Sequence, residues 1–460
     1  MENTLTEIID KDVFFYLSST LPPNTLSYDH IHSVFFLGFD DNIGQLIEKY
    51  YTTQNLTPNI FDEVLSIGFP ETTQLIGEGE ETYIFSLRKN TSSLLSNVSI
   101  SDQQFYYCYT KVAKVKCEKV KRGYIQKSIV IIGDNYNPKY YIPFLDEIYS
   151  LFFENHYTPL KEDEISKYIH NNNTKIEKQL YTPYIINSFF NTLSLYYIIK
   201  ISSLWEIIIT ETPLLIVGDS PSKISDIVMI TESLIYPLRC KCDIRPYFSL
   251  YDIDLRQYKD NSMLIKTNTP IFGIINPLLA KDFNSLETLH FDDMFYTELK
   301  KTNPTKEKVF KSYEKVIKKE KKYLYVNKNY STLHPDKQLI QSFYDYLTEN
   351  NNDMSRLDNY LRMYLIELNN NFMKTFDNFF FTHCKEEITK ISFLKQHFSI
   401  YEIFNEKKFF KYIETVSNVF NDKYVHNIER TSKLYAKFIK TKIFNDYLNH
   451  IHQKIKQMNN

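Results

Sequence analysis

The chain reads as a multidomain protein of α/β and α+β class: an antiparallel sheet near the N-terminus, an α/β layer in the middle, and helices toward the C-terminus. Three observations predict this. Strand-like apolar runs alternate with two helical stretches between residues 31 and 155. A strand–turn–helix order occupies residues 213–236, and beyond residue 305 nearly every apolar period is helical. At 460 residues the chain exceeds one ordinary core, and roughly 150 residues per domain gives about three.

In chain order, Val34 to Phe39, Thr82 to Leu87, Phe105 to Val115 and Tyr124 to Ile132 are the strand-like runs, with helices near Pro58 to Leu65 and Pro138 to Phe153. Lys161 to Gln179 is charged, contains Asn171-Asn172-Asn173, shows no apolar face and is expected to be a linker. Pro183 to Ile199 runs 17 residues without a charge, near the lower limit of a membrane span. Asn187, Ser188, Asn191, Thr192 and Ser194 interrupt it, so a buried helix is the expectation.

Pro213-Leu214-Leu215-Ile216-Val217, closed by Gly218, has the pattern of a strand buried on both faces. Ser220 before Pro221 suits a helix N-cap, and Ile224, Ile227, Val228, Ile230 and Leu234 recur at helical spacing up to Pro237. Tyr247 to Tyr251 and Ile271 to Ile275 read as further strands, with a helix over Asp252 to Tyr258 between them. Leu357, Leu361, Tyr364, Leu365, Leu368 and Phe372 mark one face of a long amphipathic helix, and further helices are expected as far as Ile455. The boundaries that follow are 1–155, a linker at 156–192, 193–298 and 299–460.

Composition narrows the chemistry. The 37 Tyr and 34 Phe against 9 Gly indicate large aromatic cores with few places for backbone to wrap a phosphate. Neither G-x-G-x-x-G nor G-x-x-x-x-G-K occurs, and a net charge of −2 gives no overall bias toward nucleic acid. The five cysteines are scattered and the first residues lack the order of a secretory leader, so a cytosolic compartment is expected. Cys240-Lys241-Cys242 lacks a second ligand pair, His30 and His32 read as structural, and Cys384 beside His383 lacks a separate base. No metal, cofactor or covalent catalyst is expected.

Lys300 to Lys328 holds 11 lysines against three glutamates. On a helix, Val309, Tyr313 and Val316 lie on one side and the lysines on the other. A solvated helix face explains this; attraction to an anionic membrane surface is the functional alternative, ahead of nucleic acid. Arg245, beside Pro246 and close to Asp243 and Asp252, reads as an ion pair fixing a strand end, or as an anchor at a protein interface with Tyr247.

Leu204-Trp205-Glu206, Ser220-Pro221-Ser222, Arg245-Pro246-Tyr247-Phe248 and Asn276-Pro277 together resemble the central part of the DENN domain, most closely its sixth subgroup. Upstream, Arg122-Gly123-Tyr124-Ile125-Gln126-Lys127-Ser128 and the pairing of Phe39-Asp40 with Gly44-Gln45 resemble that subgroup's segments, and downstream Arg356 to Phe380 follows its C-terminal helix. Ile275 and Leu278 depart from the pattern, standing where relatives more often carry Thr and Phe.

The resemblance implies a longin-like lobe at the N-terminus, an α/β central lobe, an all-helical third lobe, and guanine-nucleotide exchange on a Rab-family small GTPase. It places Arg122, Gln126, Lys127, Arg245, Tyr247, Asp252 and Asn276 near the partner or the lobe junction, with recruitment to endosomal or other trafficking membranes. Two alternatives use the same fold. One is a non-catalytic Rab-binding adaptor; the other is GTPase activation by an arginine finger, with Arg122, Arg239 and Arg245 as candidates.

Overall fold

A computed structural model of the chain describes residues 31–53, 55–71, 78–89, 105–118, 120–134, 136–174, 195–236, 238, 240–283, 286–290, 333, 336–348, 354–384, 386–388, 390, 400–415 and 428–458. The chain enters through β1 (Ile31–Asp40) and turns into β2 (Gly44–Thr52). Asp40 makes that turn: its Oδ1 accepts from the amides of Asn42 and Ile43 at 2.8 and 3.0 Å, and Gly44 then takes a φ of 89°. Helix α1 (Pro58–Ile67) starts on a proline, which has no amide to leave unpaired in the first turn.

Strands β3 (Gly79–Arg88), β4 (Phe105–Lys116) and β5 (Tyr124–Gly133) complete a five-stranded antiparallel sheet of order β2-β1-β5-β4-β3. Both faces are covered. Ile129 and Ile131 of β5 point into a core with Tyr141, Phe144 and Ile148 of α2 (Pro138–Glu154), while Val130 and Ile132 point into the opposite core with Ile60 and Val64 of α1. This two-residue alternation between two apolar layers is why the second half of β5, Ile129 to Ile132, reads as an unbroken apolar run.

The expected linker begins instead with a helix, α3 (Glu162–Thr174), whose Ile165 and Ile169 are buried in the α2 core. Its apolar face is this i, i+4 pair with half-buried Tyr168 beside it, too narrow to stand out among the charges around it. Residues 175–194, including most of the uncharged stretch before Ile199, lie outside the described residues. Among the described residues no helix is long and apolar enough to cross a membrane.

The middle of the chain runs α4 (Leu195–Ile209), β6 (Leu214–Val217), α5 (Pro221–Ser233), β7 (Ile244–Arg245), α6 (Leu255–Asp260), α7 (Ser262–Asn268), β8 (Ile271–Ile274), α8 (Pro277–Asp282) and β9 (Glu287–His290). The strands form a parallel sheet of order β7-β8-β6-β9. Gly273 is obligatory here, because a Cβ would collide with the Pro246 carbonyl and with Ile224 and Val228 of α5. The expected strand over Tyr247 to Tyr251 is absent. Pairing ends at Pro246, which cannot donate to a ladder, apart from the Phe248 amide to the Gly273 carbonyl at 2.7 Å. Tyr247 and Phe248 then serve opposite sides: Tyr247 meets Tyr83 of β3 edge-on, and Phe248 stacks on Phe272 at 4.2 Å.

The remaining described elements are helical: α9 (Lys337–Thr348), α10 (Met354–Asn378, ending in a π-helical turn at Phe379–His383), α11 (Ile400–Ile403), α12 (Glu406–Thr415), α13 (Ile428–Phe438) and α14 (Lys442–Met458). Phe372, Phe376, Phe409, Tyr435, Phe438 and Phe444 build an aromatic core among them. Two buried polar contacts are prominent among those that fasten these helices to the middle of the chain. Trp205 Nε1 donates to Asn369 Oδ1 at 2.6 Å, and Asn369 Nδ2 donates to the carbonyls of Leu234 and Tyr236 at 3.0 and 2.8 Å. Glu211 accepts from the first amides of α14, Lys442 and Ile443, at 2.9 and 3.1 Å, which caps a helix from across the fold.

Candidate functional site

The two sheets meet along β3, an edge strand that would otherwise offer unpaired backbone groups. Helix α5 and β7 cover it. The Ile84 amide donates to Ser225 Oγ at 3.2 Å, and Ser86 Oγ donates to the Ile244 carbonyl at 3.1 Å. Glu81 accepts from Ser220 Oγ at 2.6 Å and the Ser222 amide at 3.2 Å. The Ser-Pro-Ser turn thus caps α5, as its sequence predicts, and binds the first sheet.

Where β3 ends, a buried ionic network crosses the junction. Arg245 donates from Nε to Asp243 at 2.8 Å, from Nη1 to Asp252 at 3.1 Å, and from Nη2 to Asp254. Arg88 of β3 reaches Asp254 at 2.8 Å and Asp243 at 2.9 Å, and Tyr258 donates to Asp243. Both guanidinium carbons lie 4.7 Å from the centroid of Phe105. Arg245 is 1% exposed, which withholds it from any partner's nucleotide in this conformation.

Three aspartates facing two arginines leave an excess of buried negative charge, and the surroundings respond to it. Burial pushes Glu63 of α1 up to about 8, helped by the neighbouring Asp252 carboxylate, while its Oε1 accepts from the Ile253 amide at 3.2 Å. Burial likewise raises Asp252 to about 6, because the nearby Asp254 outweighs part of the relief from Arg245. Asp243 is the exception. Burial works against its charge, yet Arg245 and Arg88 together hold its carboxyl below the usual range.

At the C-terminal ends of β7 and β8, where crevices gather in parallel sheets, a second cross-junction contact appears. Glu71 follows α1. Its amide donates to Tyr247 Oη at 3.1 Å, its Oε1 accepts from the Leu250 amide, and its Oε2 accepts from Asn276 Nδ2 at 3.0 Å. Asn276 Oδ1 in turn caps α8 by accepting from the Leu278 amide at 3.0 Å. Beside these anchors Leu250 is 42% exposed, Tyr251 54% and Leu278 61%.

The sequence candidates therefore fall into two groups. Arg245, Tyr247, Asp252 and Asn276 sit together at one end of the parallel sheet, with Arg245, Tyr247 and Asp252 buried. Arg122, Gln126 and Lys127 lie on the first sheet's hairpin side. Arg122 is half-exposed, 3.3 Å from Asp41 and 4.0 Å from the centre of the Phe39 ring. Lys127 pairs with Glu48 across Gly38, whose missing Cβ leaves room for that carboxylate, and Gln126 is half-buried in β5 opposite Lys114. Phe39 touches Phe69, two residues before Glu71, so the hairpin and the loop tips adjoin through that segment. Arg239 and Lys300 to Lys328 lie outside the described residues.

Glu63, Glu71 and Arg88 are absent from the sequence candidates. Glu63 sits within α1, Arg88 ends β3 and Glu71 stands in the segment after α1, and neither period nor motif marks any of them. Leu250 and Leu278 are hidden among apolar neighbours that read as strand and turn.

No family model matches the chain. It is 22% identical over 307 residues to Protein DENND6A of Gallus gallus, covering 55% of this chain and 51% of that protein. It is 33% identical over 82 residues to Protein DENND6B of Homo sapiens, 17% of this chain and 13% of that one. It is 22% identical over 324 residues to Protein DENND6 homolog of Dictyostelium discoideum, 54% of this chain and 44% of that one. The chain spans about half the length of the longer-matching relatives.

Proposed function

The chain is a DENN-domain protein of the DENND6 subgroup, and from that premise we propose that it is a guanine-nucleotide exchange factor for a Rab-family small GTPase in membrane traffic. One observation supports this reading above the rest: two unlike sheets are locked rigidly together, and half-exposed apolar residues stand at the rim of their junction. Such a surface suits a folded partner.

Exchange needs no acid, base or nucleophile. A GTPase holding nucleotide at picomolar affinity has about −16 kcal/mol of binding energy. Lowering the release barrier by roughly 4 kcal/mol accelerates release about a thousandfold. An interface near 1,600 Å² supplies that if it binds the empty, switch-open form better than the loaded one. Rigidity on the exchanger's side matters because a surface that yields to its partner returns the binding energy as its own distortion.

In this proposal residues 1–155 form a longin-like lobe and 193–298 the central lobe, joined by 156–192, and the GTPase switches dock between them, with 299–460 as the helical lobe. Arg122 and Asn276 lie at the accessible margins, while Arg245, Tyr247 and Asp252 support from beneath. Lys300 to Lys328 would hold the protein to an anionic membrane. Capture tests the class: immobilised chain retains a cognate Rab stripped of nucleotide in preference to the GTP-loaded form. Preference for the loaded form would make it an adaptor.

A further inference from the structure

We infer that Glu71 is a positioning residue for this exchange, one that sets two apolar loop tips, Leu250-Tyr251 and Leu278, as a single rigid contact surface for the GTPase. The inference rests on the function proposed above and names the surface through which it acts.

The geometry carries it. One carboxylate accepts simultaneously from the amide of Leu250, in the loop after β7, and from the side chain of Asn276, at the end of β8. Neither loop belongs to the segment that supplies the clamp: Glu71 comes from the stretch after α1, on the other side of the junction. Its own amide is fixed on Tyr247 Oη, and Tyr247 is buried edge-on against Tyr83 of β3, so the clamp is tied to both sheets. Asn276 passes the restraint on, because the side chain whose Nδ2 meets Glu71 caps the Leu278 amide with its Oδ1.

The surface held this way is neutral and apolar at its tips. Leu250, Tyr251 and Leu278 are exposed to different degrees, and each stands on an amide or side chain that is itself restrained. Tyr251 is included because its amide donates to Ser249 Oγ at 3.0 Å, closing the turn that presents it. Side chains on a restrained backbone lose little entropy on contact, and Tyr251 is of a type enriched among interface anchors, with the two leucines flanking it as apolar contact area. The occupant is the apolar switch surface of the G protein, since uncharged tips offer nothing to a phosphate, a nucleic acid or an acidic peptide. Those ligands would need a cationic rim that these three residues do not provide.

The experiment uses the full chain and a Rab on which it accelerates GDP release, with three variants: Glu71→Ala, Glu71→Gln and Leu278→Ala. Release rate is followed against exchanger concentration, beside melting temperature and amide hydrogen exchange at Leu250 and Leu278. The expected result for Glu71→Ala is a half-saturating concentration raised about tenfold, with faster amide exchange at both tips and a melting temperature within a few degrees of the parent. Glu71→Gln, which keeps one acceptor, falls between. Leu278→Ala, at an exposed position that cannot disturb the core, reproduces the affinity loss. An unchanged half-saturating concentration in Glu71→Ala and Leu278→Ala overturns the inference while leaving the exchange activity standing. If the parent chain accelerates release from no Rab, the proposed function fails, and the inference fails with it.

Discussion

Arg88 and Arg245, from different sheets, donate to the same oxygen, Oδ2 of Asp254, and lie equally far, 4.7 Å, from the ring of Phe105. This shared acceptor makes the junction a single electrostatic unit. Removing either arginine strands buried carboxylates that the other cannot neutralise alone.

Arg245→Ala is therefore expected to destabilise the fold on the order of 3–5 kcal/mol, the usual cost of orphaning a buried charge partner. Arg245→Lys is expected to rescue little, because one ammonium cannot meet the three aspartates that the guanidinium reaches. Denaturant midpoints measure both. A midpoint within error of the parent for Arg245→Ala would show that the network contributes nothing.

Glu63 gives the junction a pH dependence of definite sign. Its carboxyl is raised to about 8 in the fold from about 4.5 unfolded, so the native state holds a proton that the unfolded chain releases. That contribution is complete below about pH 4.5 and is lost as pH rises through about 8. Glu63→Gln, which keeps the acceptor for the Ile253 amide, should lose on the order of 2 kcal/mol less than the parent between pH 6 and 9. Urea midpoints at those two pH values check it, and parallel losses in both proteins would contradict it.

Trp205 is the chain's one tryptophan and is fully buried against Phe372. Asn369→Ala removes its acceptor and strips a donor from the carbonyls of Leu234 and Tyr236. A loss of roughly 3 kcal/mol is expected, from buried polar groups left unpaired. Unfolding followed by tryptophan emission should shift by that amount, and a shift below about 0.5 kcal/mol would mean that the helices are fastened elsewhere.

Much of this architecture was legible in the chain because its strands are buried on both faces. The runs at Val34, Ile129 and Leu214 announce themselves by apolar continuity, Phe105 to Val115 by its aromatic and β-branched residues, and Ser220 announces its helix by capping chemistry. The short elements were not legible. Pro246 cuts β7 to two residues, so Tyr247 to Tyr251 carries strand composition without strand structure. Helix α3 shows the core a narrow face of Ile165, Tyr168 and Ile169. Contacts made by single side chains across the fold were least visible: Arg245 was readable as an ion pair with Asp243 and Asp252 nearby, but Glu71 finds Leu250 and Asn276 some 180–200 positions away, about which local sequence is silent.

The most direct test of the account is nucleotide release. A panel of Rab GTPases is loaded with fluorescent GDP, and release is followed with and without the full chain while phosphate production is monitored alongside. The account predicts that release from at least one Rab accelerates on the order of a hundredfold or more, with intrinsic hydrolysis unchanged. Flat release from every Rab, or faster phosphate production while GDP stays bound, would contradict it.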